Sequence, residues 1–164
     1  NIFYDFFNKI KGEYKKNCKV RLFPKNRSMQ LENVWKEKYG KKIQFSKENK
    51  EKSIYNSKII ILDDFSTPLY EFLKIGVPFI IIMKDSYQNI KPNFRNELIK
   101  LEKIGLIHKS SYSGAKFLNN NYENLHDWWK KVIKNKNFKQ FKKNLFSSNI
   151  NFLENIKKEL LYGL

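Results

Sequence analysis

Apolar positions recur along this chain with two rhythms, and the places where the rhythm changes mark its elements. Ile2, Phe3, Phe6, Phe7, Ile10 and Tyr14 fall at helical spacing with lysine and asparagine opposite, which predicts a surface helix within residues 1–16. Cys18 to Phe23, CKVRLF, predicts a strand closed by Pro24, with Arg21 two residues before its carboxyl end. Leu31, Val34 and Trp35 supply the apolar face of a helix from Gln30 to Tyr39 that Gly40 stops. Ile43 to Phe45 predicts a brief strand, and Ser46 to Tyr55 a largely polar helix opened by a capping-box-like Ser46.

The stretch from Lys58 to Met83, KIIILDDFSTPLYEFLKIGVPFIIIM, then reads as one βαβ unit. Ile59 to Leu62 and Phe79 to Met83 are apolar runs without alternation, the pattern of parallel strands buried on both faces. Between them Ser66 or Thr67 can cap a helix, Pro68 suits its first position, and Gly76 can end it. Phe94, Leu98, Leu101 and Ile104 mark a helix from Asn93 to Ile104 ended by Gly105, and Leu106 to His108 a last strand. Ser110 or Ser111 caps a helix through Leu118, and Tyr122 to Ile133 carries Leu125, Trp128, Trp129 and Val132. The paired tryptophans read as packing anchors. Phe138, Phe141 and Leu145 mark a further helix, and Ile150, Leu153, Ile156 and Leu160 another. The fold class is therefore α/β, with a parallel sheet built from strands near residues 20, 43, 60, 80 and 107.

Composition narrows the function. At 164 residues the chain can bury one core of ordinary size. It opens on Asn1 rather than methionine, which leads us to expect a fragment of a longer protein. No apolar run approaches the ~20 residues of a membrane span, and the expectation is a soluble protein. One cysteine, Cys18, excludes an internal disulfide, and His108 and His126 are too far apart in sequence to suggest a metal cluster, so no metal is expected. A net charge of +17 raises nucleic acid as a partner. Only Arg21, Arg27 and Arg95 among 33 basic residues are arginine, however, and the lysines are spread along the whole chain. Base-edge recognition favours the planar guanidinium, so no nucleic acid is expected. A weak, salt-sensitive preference for anionic phosphates or a membrane face is compatible with the charge.

In an open α/β sheet, ligands sit beyond the carboxyl ends of the strands, which here places Asp63, Asp64, Ser66 and Thr67 in the binding region. A helix N-terminus with two hydroxyls can cradle a phosphate, and Glu71, about a turn further on, can reach the hydroxyls of a ribose. Ser66 and Thr67 serve equally as simple caps, and Glu71 as a solvated residue. Arg21 can reach a phosphate or lie along the sheet edge. Tyr87, in the polar loop KDSYQNIKPN, can stack on a base or sugar or pack on the loop. His108 is a ligand contact or, as a solitary histidine at a strand end, simply meets solvent.

In their order, Val20 to Pro24 (VRLFP), Asp64 to Thr67 (DFST), Glu71, Leu73, Pro78, Gly105 to Ser110 (GLIHKS) and Trp128-Trp129 resemble the C-terminal part of a bacterial transferase family associated with surface carbohydrate synthesis, over about Val20 to Phe146. Phe65, Pro68, Leu69 and Lys84-Asp85 depart from that family's usual residues. The resemblance implies a GT-B glycosyltransferase architecture of two Rossmann-like lobes, this chain being the donor-binding lobe. Residues 1–134 would form a truncated Rossmann-like nucleotide-sugar-binding lobe and 135–164 a helical extension. Arg21, Asp64, Ser66, Thr67, Glu71 and Tyr87 would hold the donor, a nucleotide-diphosphate sugar that is substrate rather than cofactor. A glycan or lipid-linked acceptor and the catalytic base would come with a missing N-terminal lobe; the protein would be cytoplasmic, in the cytosol or at the inner face of the membrane through a peripheral contact, and this chain alone would be inactive. The lobe's first strand would also be missing, so altered pairing is expected beside Val20 to Phe23, as are exposed apolar residues after Ile150. A receiver-like signalling domain, suggested by KIIILDD, lacks a third-strand aspartate, since only Asp85 and Asp127 follow Asp64. A phosphate- or nucleic-acid-binding module without catalysis, or a purely structural lobe, is the other reading.

Overall fold

The computed structural model describes residues 2–22, 27–63, 67–83 and 92–146. Helix α1 (Ile2–Lys9) and the single turn α2 (Gly12–Lys15) precede β1 (Lys19–Val20), and α3 (Arg27–Tyr39) leads through a 3-10 turn at Gly40–Lys42 to β2 (Gln44–Phe45). Helix α4 (Lys50–Tyr55), β3 (Ile60–Leu62), α5 (Thr67–Ile75) and β4 (Phe79–Ile82) follow, the last two strands and α5 forming the expected βαβ unit. Helix α6 (Pro92–Glu102), β5 (Ile107–His108), α7 (Ser111–Asn121) and α8 (Leu125–Lys134) continue the alternation, and a helix over 136–146, α9, ends the described part.

All strand pairs are parallel, as the crossover pattern requires, but the strands form two sheets rather than the single sheet expected. β1 pairs with β2, β3 with β4 and β4 with β5. Among the described residues no ladder joins β1–β2 to β3–β4–β5, so the expected break in pairing falls between these two groups. As an edge strand, β3 is only partly buried, while β4 is fully buried. The sequence pattern predicts burial on both faces for each. An apolar run shows what a strand can bury, not whether a neighbour covers its edge.

The side chains of β3 and β4 alternate between two cores, as a pleat of period two dictates. Ile60, Leu62, Phe79, Ile81 and Met83 meet α5, α6, Trp129 and Val132 of α8, and Phe138, Phe141 and Leu145 of α9. Ile59, Ile61 and Ile82 point the other way, into a core lined by Phe6, Phe7 and Ile10 from α1, Trp35 from α3 and Ala115 and Leu118 from α7. Val20, Leu22 and Phe45 from the β1–β2 end pack on this second core. The result is an α/β arrangement with small parallel sheets flanked by helices.

Local signals explain most boundaries. Gly40, Gly76 and Gly105 have φ of 56°, 83° and 75°, the left-handed conformation that ends helices without a Cβ penalty. Ser110 caps α7 by accepting the Ser113 N–H at 3.1 Å. The predicted cap of α4 is corrected: Asn49, not Ser46, accepts the Lys52 N–H at 2.8 Å, and Ser46 shares a hydroxyl contact with Ser53 instead. The predicted face of α3 is also corrected, since only Trp35 is buried and Leu31 and Val34 stay 44% and 43% exposed. Trp128 and Trp129 are packing anchors, their indole N–H groups donating to the carbonyls of Ile104 at 3.0 Å and Gly76 at 2.8 Å. The stripe from Ile150 to Leu160 lies outside the described residues.

Candidate functional site

Each sheet's carboxyl edge leads into a polar segment. After β1 comes Arg21, which is exposed and donates from Nη1 to the Glu48 carbonyl at 3.0 Å. Arg21 was expected inside the strand, but β1 ends at Val20 because its partner β2 is only two residues long. After β2, the Glu48 carboxylate lies 3.7 Å from Lys19 Nζ and accepts from Asn56 Nδ2 at 3.2 Å. The Asn49 cap then starts α4, and Lys50 in its first turn reaches across to α5. Lys50 Nζ donates to Glu71 Oε1 at 2.6 Å and stands 2.5 Å from Oε2, so both carboxylate oxygens are engaged. After β3, Asp63 is exposed.

Two of the sequence-derived candidates, Arg21 and Glu71, are thus tied to opposite ends of one short segment, Glu48 to Lys50. Thr67 opens α5. Asp64, Ser66 and Tyr87 lie outside the described residues. Glu48 and Lys50 were missed by sequence reasoning, although a signal existed: they follow the Ile43–Phe45 run just as the acidic pair follows Ile59–Leu62, and the rule about carboxyl ends applies to both strands. The resulting cluster alternates sign, with Lys19, Arg21 and Lys50 against Glu48 and Glu71. It can therefore offer both donors to phosphate oxygens and carboxylate acceptors to hydroxyls.

His108 does not belong to this cluster, and the expectation that it meets solvent is corrected. It is 8% exposed, its ring centroid 5.0 Å from that of Phe117, with Nε2 3.1 Å from the Gly105 carbonyl. A carbonyl only accepts, so Nε2 carries the proton and donates. Burial lowers the pKa of the ring to about 4, against smaller opposing effects of the Gly105 hydrogen bond and Glu102. The imidazole is accordingly neutral at pH 7 and acts as a structural plug. Cys18 is likewise a packing residue, its thiol pushed up to about 11 by burial. Among the described residues no group of three His, Cys, Asp or Glu side chains could hold a metal ion, and no helix is long and apolar enough to cross a membrane.

The family described as LIC12162 family transferase matches the chain over residues 3–160. The chain belongs to this family. The match runs from α1 past α9, so both sheets, both cores and the Arg21–Glu71 cluster fall inside the region that defines a LIC12162 family transferase. It is also wider than the Val20 to Phe146 span of the resemblance noted above. No curated protein and no solved structure matches the chain.

Proposed function

We propose that this LIC12162 family transferase acts as the donor-binding lobe of a GT-B-like glycosyltransferase and holds a nucleotide-diphosphate sugar beyond the carboxyl ends of β1, β2 and β3. The acceptor is a glycan or lipid-linked glycan of the cell surface, and the base that activates it comes from a second lobe. The observation that carries this reading is the placement of Arg21 and Glu71 around the Glu48–Lys50 segment, in a chain whose family is a transferase. In the reaction the bond between the anomeric carbon and the distal phosphate oxygen breaks and a bond to an acceptor oxygen forms. The nucleoside diphosphate leaves with the electron pair. Its growing negative charge is offset by the Arg21 guanidinium and by the N–H groups and hydroxyls at Ser66 and Thr67, without a metal from this lobe. Glu71 accepts from the ribose.

Titration of UDP, GDP, ADP and CDP against the wild-type chain and the Ser66→Ala and Glu71→Ala variants tests the reading. One nucleotide should bind, and each substitution should weaken it roughly tenfold, the order expected for losing a hydrogen bond to a charged group. Affinity unchanged in both variants would return Ser66 to a helix cap and Glu71 to a solvated residue.

A further inference from the structure

Lys50 engages both oxygens of Glu71 across two helices that belong to different sheets. α4 follows β2, and α5 follows β3. Among the described residues no strand hydrogen bond joins these sheets, and the Lys50–Glu71 pair links the helix that follows β2 to the helix that follows β3. The lysine's own position is well determined. Asn49 caps its helix, Ile54 one turn on is buried in the same core as Leu69 and Leu73 of α5, and the preceding Glu48 carbonyl accepts from Arg21. Glu71, by contrast, lies midway along α5, and among the described residues its carboxylate meets Lys50 alone.

Stability does not account for the pair. Its side chains are 44% and 42% exposed, and exposed ion pairs contribute little to stability. Its effect is on the carboxylate. A carboxylate offers about four lone-pair sites, of which the ammonium engages roughly half. The remaining sites share a fixed orientation and can accept two neighbouring hydroxyls at once. An unheld glutamate would first have to give up side-chain freedom.

We infer that Lys50 is a positioning residue: it holds the Glu71 carboxylate oriented to accept the vicinal hydroxyls of a ribose, and so makes the site selective for ribonucleotides. This rests on the reading of Glu71 as the ribose contact. It predicts that the effect of Lys50 vanishes when the ligand has no such hydroxyls, which a purely structural lysine or a phosphate-binding lysine would not show.

The test uses the full chain, whichever of UDP, GDP, ADP and CDP binds, and the 2′,3′-dideoxy counterpart of that nucleotide. Lys50→Met should weaken the ribonucleotide roughly fivefold and leave the dideoxy nucleotide within about twofold. Lys50→Arg, which keeps a cation able to face both oxygens, should restore most of the affinity. The Lys50→Met/Glu71→Gln double variant should bind no more weakly than Glu71→Gln, because a positioning residue has nothing left to position. Equal weakening of both nucleotides by Lys50→Met would make Lys50 a phosphate contact and overturn the inference. So would a normal ribonucleotide affinity in Lys50→Met when Glu71→Gln is weakened. If Glu71→Gln binds like wild type, or none of the four nucleotides binds, the ribose reading of Glu71 fails first and the inference falls with it.

Discussion

The two cores on either side of the β3–β4–β5 sheet are built differently. The one beneath α5 and α6 contains Leu69, Leu73, Phe79, Ile81, Leu98, Leu101, Leu106, Ile107 and Phe141, all essentially without solvent exposure, and α8 and α9 close it. The one beneath α1 and α7 has few such residues and is bounded on the β1–β2 side by aromatic edges. Tyr4 meets Trp35 with ring centroids 4.4 Å apart, Phe7 meets Tyr39 at 4.9 Å, and the Tyr39 hydroxyl donates to the Tyr4 carbonyl at 3.1 Å. Half-buried side chains such as Val20, Leu22 and Phe45 complete it. Burial of apolar area sets the free energy of local opening, so the first core should hold the sheet rigid while the second opens more readily toward β1 and β2. Arg21 and Glu48 adjoin that second, looser part. Lys50, on the helix whose Ile54 lies in the first core, and Glu71 stand on the rigid one.

The largest effect should come from emptying either core, with different reach. Phe141→Ala removes a fully buried ring from the first core and should cost about 3–5 kcal/mol, with amide exchange accelerating throughout β4 and β5. Trp35→Ala removes the ring that joins α3 to α1 and should cost about 3 kcal/mol. Its faster exchange should be confined to α3, β1 and β2. Hydrogen exchange on the two variants decides the matter, and identical patterns would mean that the two cores unfold as one.

The same contrast governs what could be read in the sequence. Elements around the first core were legible, because a buried strand between helices forces long apolar runs and helix stops at Gly76 and Gly105. Trp128 and Trp129 were legible as anchors because aromatics at helical spacing normally meet a core. Around the second core the reading slipped. Leu31 and Val34 share a helical face with Trp35, but periodicity identifies a face without saying how wide a neighbour covers it. Next to the first core, too, one boundary slipped: the cap of α4 moved from Ser46 to Asn49, because several residues in that polar stretch can cap and the packing of Ile54 selects where the helix begins. At the site, Arg21 and Glu71 were placed by the rule that ligands meet the carboxyl ends of parallel strands. The same rule applied after β2 points to Lys50, but its pairing with Glu71, 21 residues away on another helix, leaves no periodic trace among so many lysines. The burial of His108 was equally hidden, since it depends on α7 crossing over the end of β5.

His108 offers a second, smaller probe of the looser side. Its folded pKa of about 4 lies below the ordinary value of 6.5, so the unfolded chain binds the proton more readily. The stabilisation is full above about pH 6.5 and is lost as the pH falls through about 4. The loss should approach 3 kcal/mol, at about 1.4 kcal/mol for each pH unit of the difference. Urea unfolding of wild type and His108→Gln between pH 7 and 4 isolates it from the general titration of carboxylates. The difference in stability between the two proteins should shrink toward low pH. A constant difference would show that the ring is reached by water in the folded state, and that the α7 side is looser still.

The smallest effect comes from the closest approach in that second core. Gly114 sits in the middle of α7, over the sheet, and a Cβ built on it would lie 2.8 Å from Ile82 Cδ1 and 3.0 Å from Ile82 Cγ1. In an exposed helix, Gly→Ala stabilises by up to about 1 kcal/mol. Here the added methyl meets a fully buried side chain, and overpacking costs about 1–3 kcal/mol. The net change for Gly114→Ala should therefore be a loss of about 1 kcal/mol, the opposite sign from propensity alone. Ile82→Val removes the Cδ1 that the methyl would strike, at about 0.5–1.5 kcal/mol by itself. If α7 is held rigidly against β4, the double variant should be more stable than the two single losses predict, by roughly 1 kcal/mol of coupling. If α7 can shift outward, as a looser core permits, Gly114→Ala should be neutral or stabilising and the coupling should vanish. The sign of one methyl thus reports whether the second core yields only at its β1–β2 edge or along the whole of α7.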